Sequence, residues 1–223
     1  MINLTNVTKT FSLGSVEIKA LRGVSLNIPE GQMMAIQGPS GSGKSTLMNL
    51  LGCLDVPSSG SYFLEGQDVG NLSDNKLAEI RSKKIGFIFQ TYNLLPRSTA
   101  LSNVEMPMIY GAFPNRKKTA IKSLIKVGLE DRLTHKPSEL SGGQQQRVGI
   151  ARALAKNPSI ILADEPTGNL DSQSSQDIMK ILQELNQNEK ITIVVITHED
   201  YVAKSTSRIV KIFDGLIVDD QTN

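Results

Sequence analysis

Tryptophan is absent from this sequence of 223 residues, and only six Phe and four Tyr supply rings. An aromatic platform for stacking successive bases is therefore excluded. Cysteine occurs once, at Cys53, which removes any intramolecular disulfide framework and fits a reducing compartment. An excess of one charge is also missing: 24 Lys and Arg against 22 Asp and Glu leave a formal +2. No dedicated electrostatic nucleic-acid binder has so balanced a surface, so no nucleic-acid partner is expected. Long apolar runs are lacking as well. The longest, residues 191–196 and 160–163, are strand-sized and far from the roughly 18 residues of a membrane span. Residues 1–6 carry neither the basic region nor the apolar stretch of a signal peptide. The expectation is a cytoplasmic protein that reaches a membrane only through a partner.

What is present is enough apolar residue, 39%, to build a core and exclude intrinsic disorder. Residues 2–11 and 16–28 are rich in β-branched side chains, are punctuated by Gly14, Gly23 and Pro29, and read as strands. Residues 33–37 form a short apolar strand that runs into a glycine-rich turn. Leu47, Leu50, Leu51 and Leu54 then fall at i, i+3, i+4 and i+7, which predicts the buried stripe of a helix. Strands are expected at 61–64 and 85–89, with a short helix over 74–82. From 91 to 157 helical patterns replace strands, with Asn115 as an N-cap, Ile121, Leu124 and Ile125 as an apolar face, and Gly128 as a stop. After Pro158 the alternation returns. Residues 159–163 and 191–197 are almost continuously apolar, as parallel strands covered on both faces are. Ile178, Ile181, Leu182 and Leu185 mark the helix between them. Asp214-Gly215 between two apolar runs signals a two-residue hairpin, and residues 219–223 make a polar tail.

Gly38-Pro39-Ser40-Gly41-Ser42-Gly43-Lys44-Ser45 fits G-x-x-x-x-G-K-[ST] at every fixed position, between a strand and a helix. Glycines let successive backbone N–H groups close on phosphate oxygens without Cβ clashes. The helix start adds unsatisfied donors and a positive dipole end. Lys44 supplies charge for the β- and γ-phosphates and Ser45 a hydroxyl for Mg²⁺. Asp164 and Glu165 follow the apolar strand at 160–163, at the carboxyl end where ligands bind in open α/β sheets. Asp164 is the expected Mg²⁺ partner, and Glu165 is expected to orient or deprotonate an attacking water. His198 closes the run at 191–197, placed for a γ-phosphate contact. Ser141-Gly142-Gly143-Gln144 is a capping box whose two glycines leave the first helical N–H groups uncovered, a second phosphate-sized site.

Leu140-Ser141-Gly142-Gly143-Gln144, with the motifs above, resembles the signature of ATP-binding-cassette (ABC) ATPases nearly end to end. The resemblance implies a P-loop NTPase (RecA-like) α/β core, an N-terminal antiparallel β subdomain and an inserted α-helical subdomain. Residues 1–90 and 158–223 would form the core of one ATPase domain, and 91–157 its helical signature part. ATP and Mg²⁺ are the implied cofactors. By the same resemblance the phosphate contacts extend through Thr46, Gln90 joins the metal site to the helical insert, and Asp171 is the interface aspartate of the loop after Glu165. Phe11 stands where the family's adenine-stacking aromatic, usually Tyr, would be. The implied assembly is a head-to-tail homodimer with each ATP between the Lys44 loop of one copy and Ser141–Gln144 of the other, peripheral on the inner membrane face through a separate permease. Residues 91–96 and 164–171 are most similar to the lipoprotein-release and macrolide-export subgroup; a cell-division cassette that regulates a cell-wall hydrolase through a membrane adaptor is the alternative. The apolar Leu94-Leu95-Pro96 stretch is the expected docking surface.

Overall fold

The computed structural model describes residues 1–14, 16–111 and 113–223. In chain order the strands and helices begin with β1 (Ile2–Leu13), β2 (Val16–Ile28) and β3 (Met33–Gln37), then α1 (Lys44–Leu51), β4 (Ser59–Leu64), β5 (Gln67–Asp68) and α2 (Asp74–Lys84). They continue through β6 (Ile85–Ile88), α3 (Ala100–Tyr110), α4 (Arg116–Lys126), α5 (Gly142–Leu154), β7 (Ile160–Asp164) and α6 (Ser172–Glu189). The chain closes with β8 (Thr192–Ile196), α7 (Asp200–Lys204), β9 (Arg208–Phe213) and β10 (Leu216–Thr222). These residues form two compact units, Met1–Arg81 with Thr192–Asn223, and Ser82–Ile191.

In the first unit, β1 pairs antiparallel with both β2 and β4, and only one face of this sheet is covered. β2 alternates accordingly, with Leu21, Val24, Leu26 and Ile28 buried and their neighbours largely in solvent. By contrast β3 lies between β8 and β9 in parallel register. Met33 to Ile36 and all of β8 are buried, because a parallel strand flanked by crossovers has no solvent face. β9 turns into β10 through Asp214 and Gly215, at φ 46° and 75°, the double positive φ that a tight two-residue hairpin requires.

The second unit has a parallel pair, β6 with β7, in register from Ile85 opposite Ile160 to Ile88 opposite Ala163. Helix α5 packs on β6 and against α3, α4 and α6. Its approach to the strand pair is close at Gly86, where an added Cβ would lie 3.1 Å from Ala153 Cβ.

The predicted elements are present within a few residues of their expected bounds, with four local corrections. Leu54 is 51% exposed and off the buried stripe, since α1 ends at Leu51 and Cys53 turns left-handed at φ 53°. Ile125 is exposed while Leu124 is buried, so α4 buries a narrower face. Asn115 precedes α4 in the left-handed region, at φ 54°, and its side chain makes no capping hydrogen bond. The polar tail is paired rather than loose: Asp219 to Thr222 sit opposite Lys211 to Arg208 in β10, and the Arg208 fork holds Asp220 at 2.7 and 2.6 Å.

Candidate functional site

The phosphate loop leaves β3 at its carboxyl end and is held from beneath. A Cβ at Gly38 would run into the Ile212 carbonyl of β9. Gly43 has φ 104°, and a Cβ there would sit 2.6 Å from the Ala20 carbonyl oxygen. The hairpin tip closes the support: Gly215 N–H donates to the Ser42 carbonyl at 2.9 Å, and Arg22 N–H to the Gly215 carbonyl at 2.9 Å. The glycines are thus required both for the curve and for the close approach of two neighbouring strands. Gly43 is also the N-cap of α1; no side chain caps the helix and no acidic residue sits in its first turn. Its first N–H groups and dipole remain available to an anion. The Lys44 ammonium folds over the loop and donates to the Gly38 and Pro39 carbonyls at 2.7 and 2.8 Å. Ser42 Oγ is buried beside Gly38 with no hydrogen-bond partner among the described residues. A triphosphate fits this cradle.

Phe11, 39% exposed, lies opposite Ile18 on β2. The Lys9 ammonium stands 5.1 Å from its ring centroid and is itself fixed by Asp55 at 2.5 Å and the Val56 carbonyl at 2.9 Å. The ring is thus braced by a cation while it stays accessible. His198 follows β8 as an exposed residue ahead of α7. Ser45 is exposed and Thr46 half-buried in the first turn of α1.

In the second unit, Asp164 is the last residue of β7, and Glu165 turns left-handed at φ 46° directly after it. Gln90 lies two residues past β6. Its amide nitrogen donates to Asn169 Oδ1 at 3.4 Å, and Asn169 returns a bond to the Gln90 carbonyl at 3.0 Å. The Gln90 amide oxygen is outside that pair. A Cβ on Gly168 would lie 2.8 Å from Gln90 Nε2, so a larger residue there would displace the end of that side chain. Asp171 caps α6, accepting from Ser174 N–H at 2.9 Å and Ser174 Oγ at 2.7 Å. These bonds hold its carboxyl below the usual carboxylate range. Asp164 and Gln90 carry oxygen donors of the hard type that Mg²⁺ takes; the Ser45 hydroxyl, of the same type, is in the first unit.

The capping box at α5 is present. Gln144 Oε1 accepts from Ser141 N–H at 3.0 Å and Ser141 Oγ from Gln144 N–H at 3.3 Å. The adjacent glycines also lie close to neighbouring side chains: a Cβ on Gly142 would meet Tyr92 Oη at 3.0 Å, and one on Gly143 would meet Ser174 Oγ at 3.0 Å. Within this unit the structure therefore brings the turns at 90–93, 141–143 and 165–174 together. Sequence reasoning missed the residues that join them. Gln146, fully buried, donates to the Pro166 carbonyl at 2.7 Å; its only signal was an amide on an otherwise apolar helix face. Asn103, 1% exposed, accepts from Leu95 N–H at 2.7 Å and donates to the Ser98 and Thr99 carbonyls at 3.2 and 3.0 Å. It thereby shapes the turn that leaves Leu95 42% exposed. Asn169 and Arg152 gave no periodic signal at all.

Residues 21–168 match the family model described as ABC transporter. An uncharacterized ABC transporter ATP-binding protein of Methanocaldococcus jannaschii, MJ0796, is 52% identical over 96% of this chain and 94% of its own length. The macrolide export ATP-binding/permease protein MacB of Syntrophobacter fumaroxidans is 49% identical over 97% of this chain. The chain spans only 31% of that relative's length, so it corresponds to one part of a larger protein there. Among solved structures, MJ0796 as a dimer in a post-hydrolysis state bound to ADP and Pi superposes with a TM-score of 0.90 at 48% identity, covering 100% of this chain and 98% of that one.

Proposed function

The chain belongs to the ABC transporter family of ATP-binding cassettes, and on that premise we propose that it is the Mg²⁺-dependent ATPase subunit of a transporter, working as a homodimer on a separate permease of the macrolide-export type. The observation that carries the reading is the phosphate cradle: a helix start capped only by a left-handed glycine, with Lys44 folded over it. Lys44 and the open N–H groups of α1 hold the phosphates, and Ser45 with Asp164 and Gln90 would hold the metal. A bound Mg²⁺ supplies charge neutralisation at the β- and γ-phosphates. Glu165 orients and deprotonates the attacking water, His198 fixes its position from the γ-phosphate side, and Phe11 stacks on the adenine.

In the proposed dimer, each nucleotide lies between the Lys44 loop of one copy and Ser141–Gln144 of the other. ATP then stabilises the closed pair by mass action, and loss of the γ-phosphate contact lets it part. The dimeric MJ0796 cassettes support this assembly, and the MacB relatives, in which cassette and permease share one name, support the partner. The exposed Leu95 beside Pro96 is the surface offered to that permease. The test is hydrolysis by the purified chain with and without the permease encoded beside it. Turnover that requires Mg²⁺, is lost in Lys44→Ala and rises with the permease is expected; no stimulation by such a partner would remove the transport assignment.

A further inference from the structure

Two consecutive residues with side chains, Tyr92 and Asn93, hold φ at 56° and 49°, a left-handed region uncommon for any non-glycine residue and most so for a bulky one such as Tyr. The chain keeps this conformation just after Gln90 and just before the exposed docking stretch. One side chain spans both carbonyls: the Arg152 fork donates through Nη2 to Tyr92 O at 2.7 Å and through Nη1 to Asn93 O at 2.5 Å. A planar guanidinium presents its donors in a rigid fork that holds two neighbouring carbonyls in one fixed geometry, whereas an ammonium on a flexible stem fixes them less rigidly. Arg152 lies near the carboxyl end of α5. The other end of the same helix meets the same tyrosine, since Tyr92 Oη occupies the space a Cβ on Gly142 would need. Tyr92 thus lies along α5 from beside Gly149, whose added Cβ would be 4.0 Å from Tyr92 O, to the signature turn.

We propose that Arg152 is a positioning residue for ATP hydrolysis, which locks residues 92–93 in their left-handed arrangement so that the docking stretch 94–96 and the signature turn 141–143 move as one body with α5. This rests on the dimeric ATPase reading and adds to it the part that carries movement between the two surfaces. A loosened lock leaves the phosphate loop and its nucleotide affinity alone but misplaces the turn offered to the second copy's ATP. The loss therefore falls on turnover and not on binding.

The test compares wild type, Arg152→Lys, and Arg152→Lys combined with Asn93→Gly, with steady-state ATPase kinetics and binding of a fluorescent ATP analogue to each. Arg152→Lys is expected to lower kcat about tenfold, the scale of coupling changes carried by such contacts. KM and analogue affinity should stay within about twofold of wild type. Asn93→Gly, which removes the cost of the left-handed conformation at one of the two positions, is expected to restore part of the lost kcat. A folded Arg152→Lys with wild-type kcat overturns the proposal, as does a loss of analogue affinity equal to the loss of kcat. Should Arg152→Lys fail to fold, Asn93→Gly in the wild-type background decides: raised or unchanged kcat agrees, and a tenfold fall contradicts, because the conformation would then depend on the asparagine itself. Wild-type protein that binds but never hydrolyses ATP would instead sink the ATPase reading, and the proposal with it.

Discussion

Glu165 follows Asp164, which closes a strand whose residues 160–163 are fully buried, and turns left-handed at once; it is the residue proposed as the base. A general base contributes about 100- to 10,000-fold, so Glu165→Gln is expected to lower kcat at least about 100-fold while ATP binding survives; stopped-flow turnover and equilibrium binding measure the two separately. At the phosphate loop, Gly43→Ala forces a Cβ to 2.6 Å from the Ala20 carbonyl oxygen at φ 104°. The expected result is loss of ATP binding and a destabilisation of about 1–3 kcal/mol, read by denaturant unfolding. Lys156 provides a pH test. Its ammonium donates to the Ile85 carbonyl at 2.8 Å, and burial lowers its pKa from the ordinary 10.5 to about 8. The unfolded chain then holds this proton more tightly than the folded one between pH 8 and 10.5, so this group makes stability rise with pH across that window and costs stability below it. Lys156→Met is expected to flatten that rise, checked by urea unfolding at pH 7, 9 and 10.5. A rise of unchanged slope would show that Lys156 does not cause it.

Helix α5 shows what could and could not be read from the amino-acid order. Its start was legible because a capping box is a local device, four residues long and complete in the sequence. Its glycines were legible as unusual, but the neighbours that crowd them, Tyr92 Oη beside Gly142 and Ser174 Oγ beside Gly143, were not, because they come from turns far away in the chain. Gly149 is different in kind. A Cβ there meets Gln146 Oε1 at 3.6 Å and Tyr92 O at 4.0 Å, ordinary contact distances. Gly149→Ala is therefore expected to stabilise the chain by about 0.5–1 kcal/mol, seen as a higher denaturation midpoint with unchanged slope. The failures elsewhere have the same origin. Leu54 matched the helical stripe by spacing, but α1 stops at Leu51, where Tyr62 from β4 donates its hydroxyl to the Leu51 carbonyl at 2.9 Å. The polar end 219–223 carries no apolar alternation, and its pairing in β10 rests instead on charges such as Arg208 with Asp220 that periodicity does not weigh. Parallel strands were the easiest elements to read, since burial on both faces writes a continuous apolar run.

At the scale of the whole molecule, the division of labour between the two units matters most. The phosphate cradle, Phe11 and His198 belong to one, and Asp164, Glu165, Gln90 and the signature turn to the other. Within the second unit the close packing of the turns at 90–93, 141–143 and 165–174 makes the signature turn part of the same body as the loop that carries Glu165. Among the described residues no helix is long and apolar enough to cross a membrane. In the proposed dimer, hydrolysis is completed between two copies, each supplying a different side of the triphosphate. Sedimentation velocity under turnover conditions tests it most directly. Glu165→Gln with Mg²⁺ and ATP is predicted to sediment as a dimer that holds one nucleotide per chain, and wild type with ADP as a monomer. A wild-type sample that hydrolyses ATP at full rate while every species remains monomeric would contradict it.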